Sequence, residues 1–333
     1  MPELRKDPIV QRWVIMAPER ADRPIEVIDE PLSGAASTDP FAEGNESRTT
    51  PEILAYRAAG TKPDEPGWRV RVVPNKYPSV VAGDELNPRN IGLYECANGI
   101  GAHEVIIECP HFETNLGRLS PENIAEVLQA YHERLNALSD NPTLAYGLIF
   151  KNQGATAGAS VLHTHSQLLA TPFVPVSITD EIKGALDYYQ RTGRNIFGDI
   201  IRQEIDQDAR IAFESPRFIA ICPYASRFAY ETWILPRNCG SHFERADPGI
   251  LAELAIVLKT VLSSLENLLD NPAFNFMIHS GPFRVPDLPH YTWHIEILPR
   301  ITRVAGYEWG SGYFVNQVLP EQAAKRFRSF MIG

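Results

Sequence analysis

The chain has 333 residues, 44% of them hydrophobic, enough for a sizeable core in one large domain or two fused ones. A formal net charge of −10 argues against a nucleic-acid-binding face, while leaving room for a local basic pocket that takes a nucleotide. The four cysteines, Cys96, Cys109, Cys222 and Cys239, form no Cys-x-x-Cys, Met1 to Asp7 hold no apolar leader run, and no later apolar run reads as long enough to span a bilayer, so a soluble cytoplasmic protein with no membrane partner is expected.

In chain order, Trp13 to Met16 read as a strand, followed by a charged turn with Arg20 and Arg23 three apart. Residues 28–66 are rich in Pro, Gly, Ser, Thr and acidic side chains and are predicted to be an irregular excursion. Arg69 to Val73 alternate as a strand and lead into Pro74-Asn75-Lys76-Tyr77-Pro78, where Asn75 taken alone reads as a turn residue. His103 to Glu108 form another strand. Ser120 and Pro121 open a helix as N-cap and first helical residue. Its apolar face is Ile124, Val127, Leu128, Tyr131, Leu135 and Leu138, and Asp140-Asn141-Pro142 stops it.

Leu144 to Phe150 read as a strand, and a second strand runs through Leu168 to Thr171 until Pro172 ends it. Between them lies Asn152-Gln153-Gly154-Ala155-Thr156-Ala157-Gly158-Ala159-Ser160-Val161-Leu162-His163-Thr164-His165-Ser166-Gln167. Gly154, Gly158 and the alanines let backbone approach a ligand closely, and successive free N–H groups in such a loop favour bound phosphate. Residues two apart on a strand share a face, so His163, His165 and Gln167 are expected on one side. Two imidazoles and an amide beside a phosphate-sized nest point to phosphorus chemistry at a histidine.

The second half repeats the order. Arg217 to Cys222 and Tyr230 to Pro236 read as strands, a helix spans Leu251 to Leu269, and Phe274 to His279 and Trp293 to Pro299 are strands again. Matching the two loops sets His294 opposite His163 and Glu296 opposite His165. The division falls at 1–178, which carries the histidine loop, and 179–333, a degenerate repeat. Strand–strand–helix–strand–strand order with short connections favours an antiparallel sheet with helices packed on it, an α+β class.

The pattern Asn-x-Gly-x-x-x-Gly-x-Ser-x-x-His-x-His-x-Gln resembles the active-site signature of the galactose-1-phosphate uridylyltransferase family, a branch of the histidine-triad (HIT) superfamily, and the resemblance covers nearly the whole chain. It implies two HIT-like units fused into one extended sheet. It further implies that His165 attacks the α-phosphorus of UDP-glucose and becomes uridylylated, while Gln167 holds a phosphoryl oxygen without acting as an acid or base. A hexose 1-phosphate, galactose 1-phosphate first, then takes the uridylyl group. The alternatives are a nucleoside-diphosphate-hexose phosphorylase of the ADP-glucose type and a catalytically idle nucleotide-binding protein.

By the same resemblance Asn75 contacts the nucleotide, Arg20, Arg23, Ser160 and the Gly158 loop stabilise the phosphoryl charge, Glu308 of Gly306-Tyr307-Glu308 binds sugar hydroxyls, and Asn152 and Tyr307 are further substrate-binding residues. A family Gln six places beyond that Glu falls at Phe314, leaving Asn316 or Gln317 to substitute. A homodimer is the family expectation. Of the family's zinc ligands only His163 is kept, Asp39, Ala42 and Phe112 standing where the others fall, so that site is expected to be lost. A second metal site maps either to Asn195, Gly198 and Cys239, or to Glu181, His279, His294 and Glu296, which can all bind zinc or iron. The reading adopted is that no metal is bound and no cofactor is needed for the chemistry.

Overall fold

The computed structural model describes residues 2–22, 39–238 and 240–331. Strands β1 (Glu3–Lys6) and β2 (Trp13–Met16) open the chain, followed by β3 (Leu54–Arg57), β4 (Trp68–Pro74), a hairpin of β5 (Arg89–Ile91) and β6 (Tyr94–Cys96), and β7 (Ala102–Ile107). Helix α1 (Pro121–Ser139) precedes β8 (Tyr146–Gln153) and β9 (His165–Thr171). Helices α2 (Val176–Thr192) and α3 (Ile196–Gln207) lead to β10 (Ile211–Glu214), β11 (Phe218–Ile221) and β12 (Thr232–Pro236). Then come α4 (Leu251–Leu269), β13 (Phe274–His279), β14 (His294–Pro299), α5 (Gly306–Ser311), β15 (Phe314–Asn316) and α6 (Pro320–Met331).

Ten strands form one sheet in the order β10-β11-β12-β14-β13-β8-β9-β7-β4-β3, with every pairing antiparallel. The α+β expectation holds. From each edge to the centre, five strands follow the same chain order, and β8 meets β13 in the middle. The expected irregular stretch 28–66 is partly structured, because β3 supplies the outer edge strand by pairing with β4. A second, small sheet joins β1, β2 and β15, the last parallel to β2.

Helix α1 starts where Ser120 accepts a hydrogen bond from the Asn123 amide, and its apolar stripe from Ile124 to Leu135 is buried. Helix α4 packs beside it, with Leu254, Leu258, Val261, Leu262 and Leu265 in the same core. Each such leucine contributes roughly 1.5–3 kcal/mol by leaving water. The segment Pro248–Leu269 is long and apolar enough to cross a membrane by length and composition, contrary to the sequence reading, yet it is a core helix of this fold because its apolar face is covered by α1, α6 and the sheet.

The opposite face of the sheet is treated differently in the two halves. Over the second half α2 and α3 cover it, setting Ile196 and Phe197 against Ile219, Ile221 and Trp233. Over the first half the apolar cluster on that face is small among the described residues: Trp68, Val73, Val105 and Ile107, with Phe41 and Ala55 against them. The polar loop residues collect there.

Candidate active site

Strand β9 begins at His165, one turn of alternation later than expected. His163 therefore lies before the strand and does not share the face of His165 and Gln167. It is buried, with Nδ1 2.5 Å from Asp39 Oδ2 and Nε2 2.9 Å from the Cys109 carbonyl. Pairing with β7 sets His165 beside Ile107 and Gln167 beside Val105, on the face away from α1.

The His165 ring is held through Nδ1, 2.7 Å from the carbonyl oxygen of His163. A carbonyl only accepts, so Nδ1 carries the hydrogen and Nε2 keeps the lone pair. Burial lowers the His165 pKa to about 4, and the nearby Lys151 ammonium adds to that. The imidazole is neutral and nucleophilic at neutral pH. Phe41 stands edge-on to it at 5.1 Å between centroids.

Gln167 is fixed by a residue that sequence reasoning passed over as part of a strand. The Ser79 amide donates to Nδ1 of His103 at 3.0 Å, so the His103 hydrogen is on Nε2, which donates to Gln167 Oε1 at 2.9 Å. With its oxygen engaged, the Gln167 carboxamide is left to present its NH2 group. Asn75 joins the same cluster, its Nδ2 3.2 Å from His103 Nε2 and 3.5 Å from Gln167 Oε1. The available signal was parity: His103, Val105 and Ile107 share a face with His165 and Gln167 once β7 and β9 are paired.

Asn152 is the last residue but one of β8, and its Oδ1 accepts from Asn275 across the centre of the sheet at 2.8 Å. Gly154 (φ +81°) and Gly158 (φ +87°) bracket one tight turn. The amides of Ala157, Gly158 and Ala159 close that turn on Gly154 and Ala155, so they are not the free donors expected. Among the described residues the Ser160, Val161 and Leu162 amides have no such partner, and Ser160 is exposed. The unbonded amides of this stretch thus follow the glycine-bracketed turn instead of lying within it.

The model of the galactose-1-phosphate uridyl transferase N-terminal domain matches residues 1–175. The chain belongs to the galactose-1-phosphate uridylyltransferase family. It is similar to an ADP-glucose phosphorylase of Arabidopsis thaliana, with 35% identity over 98% of this chain and 92% of that protein. It is also similar to the galactose-1-phosphate uridylyltransferase of Thermotoga maritima, with 26% identity over 98% of each. The crystal structure of an Arabidopsis thaliana ADP-glucose phosphorylase with bound ADP-glucose matches with a TM-score of 0.85 and 33% identity, covering 98% of this chain and 99% of that one.

The other family positions fall on different elements. Arg20 is exposed on the short 3-10 turn after β2, and Tyr307 and Glu308 lie on α5, just before β15, so all three flank strands of the small sheet. Arg23 lies outside the described residues. Phe314 packs in the small sheet against Phe228. Asn316 cannot substitute for the family Gln, since its Nδ2 donates to the Ser226 and Phe228 carbonyls and its Oδ1 accepts from the Val318 amide.

The residues at the first family metal position do not fit a metal. Ala42 and Phe112 offer no donor atom, and both nitrogens of His163 are engaged by Asp39 and the Cys109 carbonyl. Of the two mappings for a second site, Asn195 is the N-cap of α3, its Oδ1 accepting from the Phe197 and Gly198 amides, and Cys239 lies outside the described residues.

Glu181, His279, His294 and Glu296 do converge, with one ligand atom of each lying within 4.8 Å of the others, and His294 Nε2 is buried without a partner. They fit a divalent ion, which the two imidazoles and two carboxylates would hold between them. Arg227 competes for that role, since it pairs with Glu296 at 2.5 Å and with Glu231 at 3.1 Å, while His279 Nδ1 lies 3.0 Å from Glu181.

His294 is also the structural counterpart of His165, two positions from the match expected. Each begins its strand, and each ring is tied through Nδ1 to the carbonyl two residues earlier, 3.0 Å away for His294.

Proposed function

We propose that the chain transfers a nucleoside monophosphate through a covalent nucleotidyl-His165, with ADP-glucose as donor and inorganic phosphate as acceptor. The supporting observation is the pair of preset groups on one face: a neutral His165 whose bonded Nδ1 leaves the lone pair on Nε2, and a Gln167 amide whose donor side is fixed by His103. The His165 Nε2 lone pair forms a bond to the α-phosphorus. The bond from that phosphorus to the bridging oxygen breaks, and glucose 1-phosphate leaves with the electron pair. A phosphate oxygen then attacks the same phosphorus, the phosphorus–nitrogen bond breaks, and ADP leaves with His165 neutral again. Gln167 and the free amides from Ser160 onward would stabilise the oxygens of the transferring group. An uncharged amide carries no proton, which favours an intermediate that waits for its acceptor.

The choice of ADP-glucose leans on the similarity to the Arabidopsis thaliana phosphorylase, at 35% identity. UDP-glucose with galactose 1-phosphate, ranked first from the sequence, is the second reading. It is favoured by the family match, and Phe314 at the family's Gln position weakens it. An idle binding protein would have no use for a nucleophile held in one tautomer.

No cofactor enters these steps. Two HIT-like units, 1–178 and 179–333, acting as a homodimer are part of the same proposal, supported by the matching strand order of the two halves and by exposed Ile91, Leu93 and Tyr94 on the β5–β6 hairpin. The test is a screen crossing ADP- and UDP-glucose with phosphate, glucose 1-phosphate and galactose 1-phosphate. Phosphate-dependent formation of ADP is expected. Turnover confined to UDP-glucose and galactose 1-phosphate would reverse the preference.

A further inference from the structure

Behind the nucleophile, on the α1 side of the sheet, lies a charged network that the proposed chemistry does not use. Lys151 of β8 is 1% exposed and Glu108, just past β7, is 0% exposed. The Lys151 ammonium donates to Glu108 Oε2 at 2.7 Å, to Thr164 Oγ1 at 2.8 Å and to the carbonyl oxygen of His165 at 2.9 Å. Glu108 also accepts from the Thr164 and Ser166 hydroxyls and, at 3.1 Å, from Tyr131 of α1. Every member is buried, and the contacts reach residues 164, 165 and 166 in succession.

A buried ion pair is a poor route to stability, because desolvating both charges costs much of what their attraction returns, and apolar residues of like volume often do as well. Its value has to be sought in what it holds. All three donor bonds of the ammonium are used, and one ends on the backbone of the nucleophile itself. Among the described residues the His165 ring is hydrogen-bonded to the carbonyl of His163 alone, so the placement of Nε2 follows the path of the backbone from 163 to 166. We infer that Lys151, with Glu108 as its counter-ion, is a positioning residue for the His165 nucleophile, clamping its peptide from the side of the sheet opposite the substrate. This inference rests on the nucleotidyl-His165 reading.

The test is single-turnover labelling with ADP-glucose carrying a radiolabelled α-phosphate, run on wild type, Lys151→Met and the double variant Lys151→Met/Glu108→Gln. The double variant removes both charges together and leaves a neutral carboxamide at position 108 to bond the hydroxyls, so it keeps the experiment decisive if the single variant fails to fold. The amplitude of label counts competent sites, and the rate constant reports the chemistry at each. The expected result in the folded variants is a rate constant lower by roughly ten- to a hundredfold, the scale of a misplaced reacting group, with ADP binding unchanged by equilibrium titration. A merely structural role would lower the amplitude or the melting temperature and leave the rate constant at the wild-type value, and that result overturns the inference. Wild type that takes no label from either ADP-glucose or UDP-glucose would instead sink the proposed function, and this inference with it.

Discussion

His165 and His163 sit two residues apart and do different work. His165→Ala should abolish labelling by nucleoside-diphosphate glucose, whereas His163→Ala should leave partial transfer. The latter should also cost about 1–3 kcal/mol of stability, because it strands the buried Asp39 carboxylate without its partner. Label on the His165→Ala protein would show that another atom is the nucleophile. At Gln167 the expectation concerns the fate of the intermediate. Gln167→His supplies a proton carrier and should raise the ratio of free nucleoside monophosphate to phosphorolysis product; an unchanged ratio would mean that Gln167 does not govern access of water.

The pH dependence belongs to His165 as well. Its folded pKa, about 4, lies below the ordinary value near 6.5, so the lone pair stays free as pH falls through 6 and 5. Labelling rates at pH 5 and pH 7 should agree within about a factor of two, and an acid limb centred near 6.5 would contradict the burial argument. Stability has the opposite profile. Between about 6.5 and 4 the unfolded chain takes up a proton that the native site refuses, so this group's contribution is full above that window and is lost as pH falls through it.

At the scale of elements, the tight turn between β8 and β9 decides where the amides from Ser160 onward point. Gly154 has φ +81°, and a Cβ there would lie 2.6 Å from Ala273 Cβ, in the segment leading into β13. Gly154→Val combines left-handed backbone strain, roughly 1–3 kcal/mol, with that clash, and it should lower the melting temperature and slow transfer together. Gly158→Ala meets only strain, since nothing but Asn152 Nδ2 comes within 4 Å, at 3.9 Å. Its loss of stability, read by denaturant titration, should be the smaller of the two. The β8 and β9 strands were legible from their apolar runs. The tautomers of His103 and His165 were not, because they depend on a carbonyl and an amide brought in by chain geometry.

For the whole molecule, two halves with one strand order share a sheet, and what covers each half differs. Helices α2 and α3 cap the second half, where Glu181 and Phe197 press on His279 and His294, while the matching face of the first half carries His103, His165 and Gln167. Metal content is the prediction at this scale. No zinc is expected beside Asp39 and His163, and transfer should survive chelation. A full equivalent of metal that disappears from the His294→Ala protein would assign the ion to the second cluster in place of Arg227. Metal retained in that variant and lost from Asp39→Ala would contradict the account of the first site.

The sequence by itself determined the α+β class, the two helices α1 and α4, the strands that flank the small-residue loop and the run in which His165 and Gln167 follow that loop, because apolar periodicity and turn chemistry are local properties of the chain. It could not determine which polar residues touch. Asp39 reaches His163 across 124 positions of chain, and Glu181 reaches His279 across 98. Strand register, not residue type, turned His163 away from the nucleophile, set His103 behind Gln167 and buried Lys151 beneath His165. These placements cost desolvation that only the assembled sheet and its helices can offset, so they exist only in the tertiary structure.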